Sequence, residues 1–119
     1  MKITAAVVRE KGQPFQFEEL ELQDPREGEV MVKIAASGVC HTDEVAQQQM
    51  IPVPLPAVLG HEGCGIVEKV GPGVTEFEKG DHVVFSFGSC GHCDSCLAGK
   101  PYACENFNAI NFGGVMSDG

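Results

Sequence analysis

Residues 88–104 read Gly-Ser-Cys-Gly-His-Cys-Asp-Ser-Cys-Leu-Ala-Gly-Lys-Pro-Tyr-Ala-Cys. Cysteine recurs there as C-x2-C-x2-C-x7-C, at Cys90, Cys93, Cys96 and Cys104. The segment has no apolar periodicity, so no hydrophobic face can order it. Four thiolates around one zinc ion can, because metal binding itself supplies folding free energy. Two-residue spacers let successive sulfurs face one ion, and Gly91 and Gly99 relieve the tight backbone. Three other readings of the cysteines compete with it. The opening resembles part of a bacterial ferredoxin run, but the fourth spacing is longer and no proline follows Cys104. A redox C-x-x-C pair needs a strand-to-helix setting and leaves two cysteines unexplained. Plain loop cysteines would leave the spacing without a reason. The expectation is a structural zinc site in a loop lobe spanning 88–108.

Outward from the lobe, the chain reads as short strands. Lys2–Arg9 is β-branched and alanine-rich and ends at Gly12-Gln13-Pro14. Phe15–Leu22 alternates apolar and polar with a slip at Glu18-Glu19, which predicts a half-buried strand with a bulge. Val30–Ala36, Ile66–Val70 and His82–Phe87 are further strands, parted by Asp24-Pro25-Arg26-Glu27-Gly28 and Gly71-Pro72-Gly73 turns. A short helix, capped by Thr42 or Asp43, is expected through Gln48. Pro52, Pro54 and Pro56 then force an irregular extended loop. The end, Asn111 to Gly119, carries no charged or helical tail signal and reads as interrupted. The fold class expected is mainly β, a barrel-like sheet arrangement with short helices and the zinc lobe.

Composition narrows the function. The 119 residues are 43% hydrophobic and 21% charged, enough for one cored domain. Eight Lys and Arg against 17 Asp and Glu give a net charge of −9. No basic cluster exists to neutralise phosphates, so nucleic acid and anionic membrane surfaces are not expected partners. The apolar N-terminal run is too short for a signal peptide, and no stretch approaches the ~20 residues of a membrane span. A soluble cytoplasmic protein is expected, and six cysteines in that compartment point to metal or catalysis rather than disulfides.

A second constellation lies upstream, in Cys40-His41-Thr42-Asp43 and Gly60-His61-Glu62-Gly63. Cys40 offers a thiolate, His61 an imidazole and Glu62 a carboxylate, while catalytic zinc needs three protein ligands and an open position. Asp43 could orient His61 by accepting its second ring proton, and Thr42 could pass on the proton of a metal-bound alcohol. Singly, blander roles compete: Cys40 as a small buried hydrophobe, His61 as a loop residue, Asp43 as a helix cap.

The order of the pieces resembles the catalytic domain of zinc-dependent medium-chain alcohol dehydrogenases. The matching segments are Gly-Val-Cys-His-Thr-Asp at 38–43, Leu-Gly-His-Glu-Gly-Cys-Gly-Ile-Val at 59–67, Gly-Asp-His-Val-Val at 80–84, and the four-cysteine lobe. The resemblance covers nearly the whole chain and implies a GroES-like, partly open β-barrel. It implies Cys40 and His61 as catalytic-zinc ligands, with Glu62 beside the metal as an occasional one. Thr42 is implied as the hydroxyl that meets the substrate alcohol, and Asp43 as the partner of His61. His41 stands where relatives place a basic residue against the cofactor pyrophosphate; a neutral imidazole holds phosphate more weakly than arginine. Cys90, Cys93, Cys96 and Cys104 match the structural-zinc ligands, and Cys64 is left as a packed small residue.

The chemistry implied is zinc-assisted oxidation of a primary alcohol to an aldehyde, with hydride passing to NAD or NADP. The closing Asn-Phe-Gly-Gly resembles aryl-alcohol members, and the resemblance implies a homo-oligomeric parent. The family's third catalytic-zinc cysteine and its Rossmann domain are not in this sequence. Gly63-Cys64-Gly65-Ile66 lacks the third glycine of a dinucleotide fingerprint and opens no helix. Residues 1–119 are therefore expected to be an incomplete catalytic domain, inactive alone, that keeps the structural zinc and holds the catalytic zinc weakly or not at all. Two other readings are a stand-alone zinc-binding interaction module, and a thiol redox sensor built on Cys90, Cys93 and Cys96.

Overall fold

The computed structural model describes residues 1–113. Gly114 and the residues after it, with the end of the Asn-Phe-Gly-Gly segment, lie outside the described residues.

Among the described residues, the β-rich pattern up to Val84 folds into two three-stranded sheets. In the first, β1 (Lys2–Val8) is central, flanked by β2 (Gln16–Glu21) and β4 (Ala57–Val58). The antiparallel register of β1 and β2 runs unbroken from Lys2↔Glu21 to Val7↔Gln16, so the bulge expected at Glu18-Glu19 is absent. The reason is a charge taken for a slip. Regular alternation puts Glu18 and Leu20 on the more buried face and leaves Phe17 82% exposed. Arg9 meets the Glu18 carboxylate there, Nε to Oε1 at 2.9 Å, which satisfies the inward charge.

In the second sheet, β5 (Gly63–Val70) lies between β3 (Val30–Ser37) and β6 (His82–Val84). The irregularities fall here, between Met31 and Val32 and between Ile34 and Ala36. Gly65 sits in this ladder because a Cβ would lie 2.1 Å from the carbonyl oxygen of Lys33. β6 is shorter than the expected His82–Phe87. Phe85 still donates its N–H to Gly63 at 2.8 Å, but Ser86 and Phe87 leave the sheet.

Helix α1 spans His41–Gln47 with Cys40 as its N-cap, in place of the expected Thr42 or Asp43. Asp43 falls at the third helical position and takes the Cys40 N–H at 3.0 Å, the return half of a capping box. The proline-rich stretch that follows is irregular, as expected, and delivers the chain to β4. The lobe holds more regular structure than its pattern showed: α2 (Asp94–Leu97), a 3-10 turn at Pro101–Ala103 and α3 (Phe107–Phe112). Elements of three to six residues are too short to display an apolar stripe. Asn111 and Phe112, read as part of a non-helical end, belong to α3.

Burial is sparse. Val8 and Val67 are the largest fully buried side chains, joined by Val7 and Met31. A second group, Ala46, Val53 and Ala57, has Leu55, Leu59 and Phe112 packed against it, which ties α1, the proline loop and α3 together. Among the described residues, no helix is long and apolar enough to cross a membrane.

Candidate metal centres

The lobe gathers what its spacing implied. Ligand atoms of Cys90, Cys93, Cys96 and Cys104 all lie within 4.8 Å of one another, with Cys93 and Cys104 buried. Gly91 and Gly99 take positive φ of 78° and 76°, the left-handed turns that wrap the chain around the sulfurs. Backbone N–H groups point inward: Cys93 N–H donates to Cys90 Sγ at 3.3 Å, and Cys90 N–H to Cys104 Sγ at 3.4 Å. These dipoles divide the thiols by acidity. The backbone N–H of His92, helped by that of Cys93, pulls Cys90 down to about 5. The Glu105 and Cys96 N–H groups lower Cys93. Burial pushes Cys96 up to about 11. Four converging soft donors, with N–H groups already aimed at the sulfurs, fit a tetrahedral zinc ion.

The second cluster forms where β3 runs into α1 and where the chain enters β5. Cys40, His61 and Glu62 offer ligand atoms within 4.8 Å of one another. Cys40 is held by the cap that starts α1, and its Sγ lies 3.3 Å from the Thr42 hydroxyl. Glu62 lies across Gly38: its carbonyl accepts the Gly38 N–H at 3.0 Å, and a Cβ on Gly38 would meet Glu62 Oε2 at 2.2 Å. Only a glycine there leaves the carboxylate this position.

Thr42, Asp43 and His61 line a cavity of about 500 Å³, walled on its apolar side by Leu59, Phe87, Ile110 and Phe112. That is within the size range of small-ligand sites. A larger cleft of about 730 Å³ opens between the sheets and is lined by no residue of either cluster.

Two residues sit differently from their expected roles. The Asp43 carboxylate engages the Cys40 N–H, and no hydrogen bond joins it to His61 among the described residues. The His61 ring instead lies on Phe87, ring centroids 4.1 Å apart at an interplanar angle of 20°. His41 is exposed in the first turn of α1, with Nδ1 3.2 Å from Glu44 Oε2.

Sequence reasoning missed the groups that support these clusters. Phe87 touches Phe107 and Phe112, centroids 5.3 and 6.3 Å away. The Asn111 amide spans Gly88, accepting its N–H at 2.7 Å and donating to its carbonyl at 2.9 Å. A signal existed: Phe87 and Phe107 stand three residues outside the first and last cysteines of the lobe.

Comparison with known proteins gives the lineage. The family model for the alcohol dehydrogenase GroES-like domain matches residues 26–118. The NDMA-dependent alcohol dehydrogenase of Amycolatopsis methanolica is 49% identical, over all of this chain and 32% of its own length. The geraniol dehydrogenase of Castellaniella defragrans is 50% identical, over 94% of this chain and 30% of its own. The crystal structure of benzyl alcohol dehydrogenase from Acinetobacter calcoaceticus superposes with a TM-score of 0.96 at 50% identity, over all of this chain and 33% of that one. That of an alcohol dehydrogenase zinc-binding domain protein from Burkholderia ambifaria gives 0.97 at 52%, over 100% and 32%. The chain thus spans about a third of the length of these relatives.

Proposed function

The chain belongs to the alcohol dehydrogenase GroES-like domain family, and we propose that it supplies the metal-holding half of an active site that oxidises a primary, apolar alcohol to its aldehyde with NAD or NADP. The observation that carries this reading is the convergence of Cys40, His61 and Glu62, with His61 also lining a cavity that Thr42 shares. Those three residues would hold a catalytic zinc, which supplies Lewis-acid polarisation of a hydroxyl oxygen. The chain's own groups do the rest. The Thr42 hydroxyl binds the substrate hydroxyl and passes its proton outward. Phe87, Ile110 and Phe112 seat an apolar body and exclude water. That wall is the support within this chain for an aromatic substrate. The names of two relatives, acting on geraniol and on benzyl alcohol, agree with an apolar one.

Asp43 acts one step back, fixing Cys40 through its backbone N–H. His41, exposed beside the cluster, is the group we assign to the cofactor pyrophosphate. Cys90, Cys93, Cys96 and Cys104 hold a structural zinc. Cysteines used as metal ligands suit a reducing, cytoplasmic compartment.

The nicotinamide site is not among these residues: the sequence has no dinucleotide fingerprint. The 119-residue chain alone therefore performs no NAD(P)-dependent alcohol oxidation, and turnover by the pure chain would refute this division of labour. The metal reading is tested by zinc content together with alkylation mapping. One zinc per chain with the four lobe cysteines protected supports the structural site. A second zinc protecting Cys40 supports the catalytic cluster. Metal-free protein with all six thiols reactive would bring the redox-sensor reading forward.

A further inference from the structure

Four thiols could order their own lobe and nothing else. The contacts around Phe87 suggest a longer reach. The His61 ring makes no hydrogen bond among the described residues, so its orientation rests on the stack against Phe87. Phe87 in turn rests on Phe107 and Phe112, at the two ends of α3. Helix α3 has only six residues, too few to be stable by itself. It is tied to the lobe at Cys104, whose carbonyl takes the Phe107 N–H at 3.1 Å. It is tied again at the lobe's entrance by the Asn111 amide, which grips both backbone groups of Gly88. Between those ties, at residues 88–106, the only buried side chains are Cys93 and Cys104, both ligands. No apolar core holds the lobe closed, so metal is the source of its order.

We infer that metal loading of the four-cysteine lobe orders the His61 imidazole through Phe87, a positioning residue flanked by Phe107 and Phe112 of α3, the helix that Asn111 ties to Gly88. The inference rests on the zinc reading of the lobe given above. The lobe with α3 is the two-state element: closed with metal, it presents a fixed aromatic face to His61, and open without metal, it does not. Filling the structural site therefore prepares the catalytic ligand set without any direct contact between the two metals.

The test uses the whole chain, stripped of metal and titrated with one equivalent of zinc. NMR follows the His61 ring protons, assigned by their loss in His61→Gln, and alkylation with mass mapping reports which thiols are shielded. The expected result is an upfield, ring-current shift of the His61 lines that grows in step with protection of Cys90, Cys93, Cys96 and Cys104, while Cys40 stays reactive. Phe87→Leu should keep the thiol protection and lose the shift, and Phe87→Tyr should restore it. Asn111→Ala, which leaves every ring in place, should reduce the shift at equal protection. A protected lobe with unmoved His61 lines overturns the coupling and leaves the zinc reading standing. Protection of Cys40 by the first equivalent overturns it too, since His61 would then be responding to its own metal. No protection at all overturns the zinc reading and the coupling with it.

Discussion

Adding a single methyl group at Gly38 should disable the second metal cluster while leaving the fold intact. The Cβ of Gly38→Ala would lie 2.2 Å from Glu62 Oε2, where ordinary contact begins at 3.4 Å. The carboxylate must therefore retreat by the difference, 1.2 Å. A metal site tolerates displacements of about 0.2 Å in its ligand distances, so a retreat of that size removes Glu62 as a ligand. The fold should absorb the change, because the closest atom is the tip of an exposed, flexible side chain and the Glu62 Cβ, at 3.1 Å, need give only a few tenths of an ångström. The backbone contact, Gly38 N–H to Glu62 carbonyl, is untouched. Cobalt(II) serves as the probe, titrated after the lobe has been filled with zinc and read by its visible absorption. Affinity at Cys40–His61–Glu62 should fall roughly tenfold to a hundredfold, the range seen when groups around a metal are disturbed. It should match the fall in Glu62→Ala, with lobe-thiol protection and the melting midpoint unchanged. If Gly38→Ala keeps its cobalt while Glu62→Ala loses it, the steric argument is wrong. If both keep it, Glu62 is not a ligand.

Other expectations follow from burial, sterics and acidity. Val67→Ala removes two buried methyl-sized groups, ~0.8 kcal/mol each plus a cavity term of similar size, so denaturant unfolding should show a loss of about 2–3 kcal/mol. Val84→Ala, at a side chain 82% exposed, should be nearly silent, and equal effects would contradict the core assignment. Gly71→Ala puts a Cβ 1.8 Å from the backbone oxygen of Arg26, a clash no rotamer relieves. It should lower the melting midpoint more than Gly38→Ala does. Zinc uptake by the metal-free lobe should release about four protons at pH 7. The open lobe no longer aims the His92 and Cys93 N–H groups at Cys90, and free thiols, which ordinarily titrate at about 8.5, are protonated there. Calorimetry in buffers of different ionisation enthalpy counts them. A count of about three or fewer would mean that the lobe stays closed without metal and holds Cys90 down at about 5.

Most strands were legible because their signals are local. Alternation and β-branched runs marked β1, β3 and β5, and glycine and proline marked the turns. The error at β2 is instructive. Two adjacent glutamates looked like a slip in the pattern because a charge was assumed to face outward, and Arg9, nine residues away, reversed that assumption. The helix cap was misplaced for a related reason: Cys40 ranks poorly as a cap, and only the return bond from Asp43 makes it serve. The lobe's short helices were illegible because metal geometry and a few tethers, rather than an apolar face, shape them.

The sequence by itself determined the chemistry: which residues can bind zinc, how their spacing groups them, and which family their order resembles. Ligand type and close spacing are properties of the covalent chain, so no fold is needed to read them. Tertiary structure alone decided the alliances between distant segments. It placed Glu62 over Gly38 and laid the His61 ring on Phe87. Those contacts join residues separated along the chain by as many as twenty-six positions, as His61 and Phe87 are. Their pairing depends on where the two sheets and α3 bring the backbone, which no local pattern encodes.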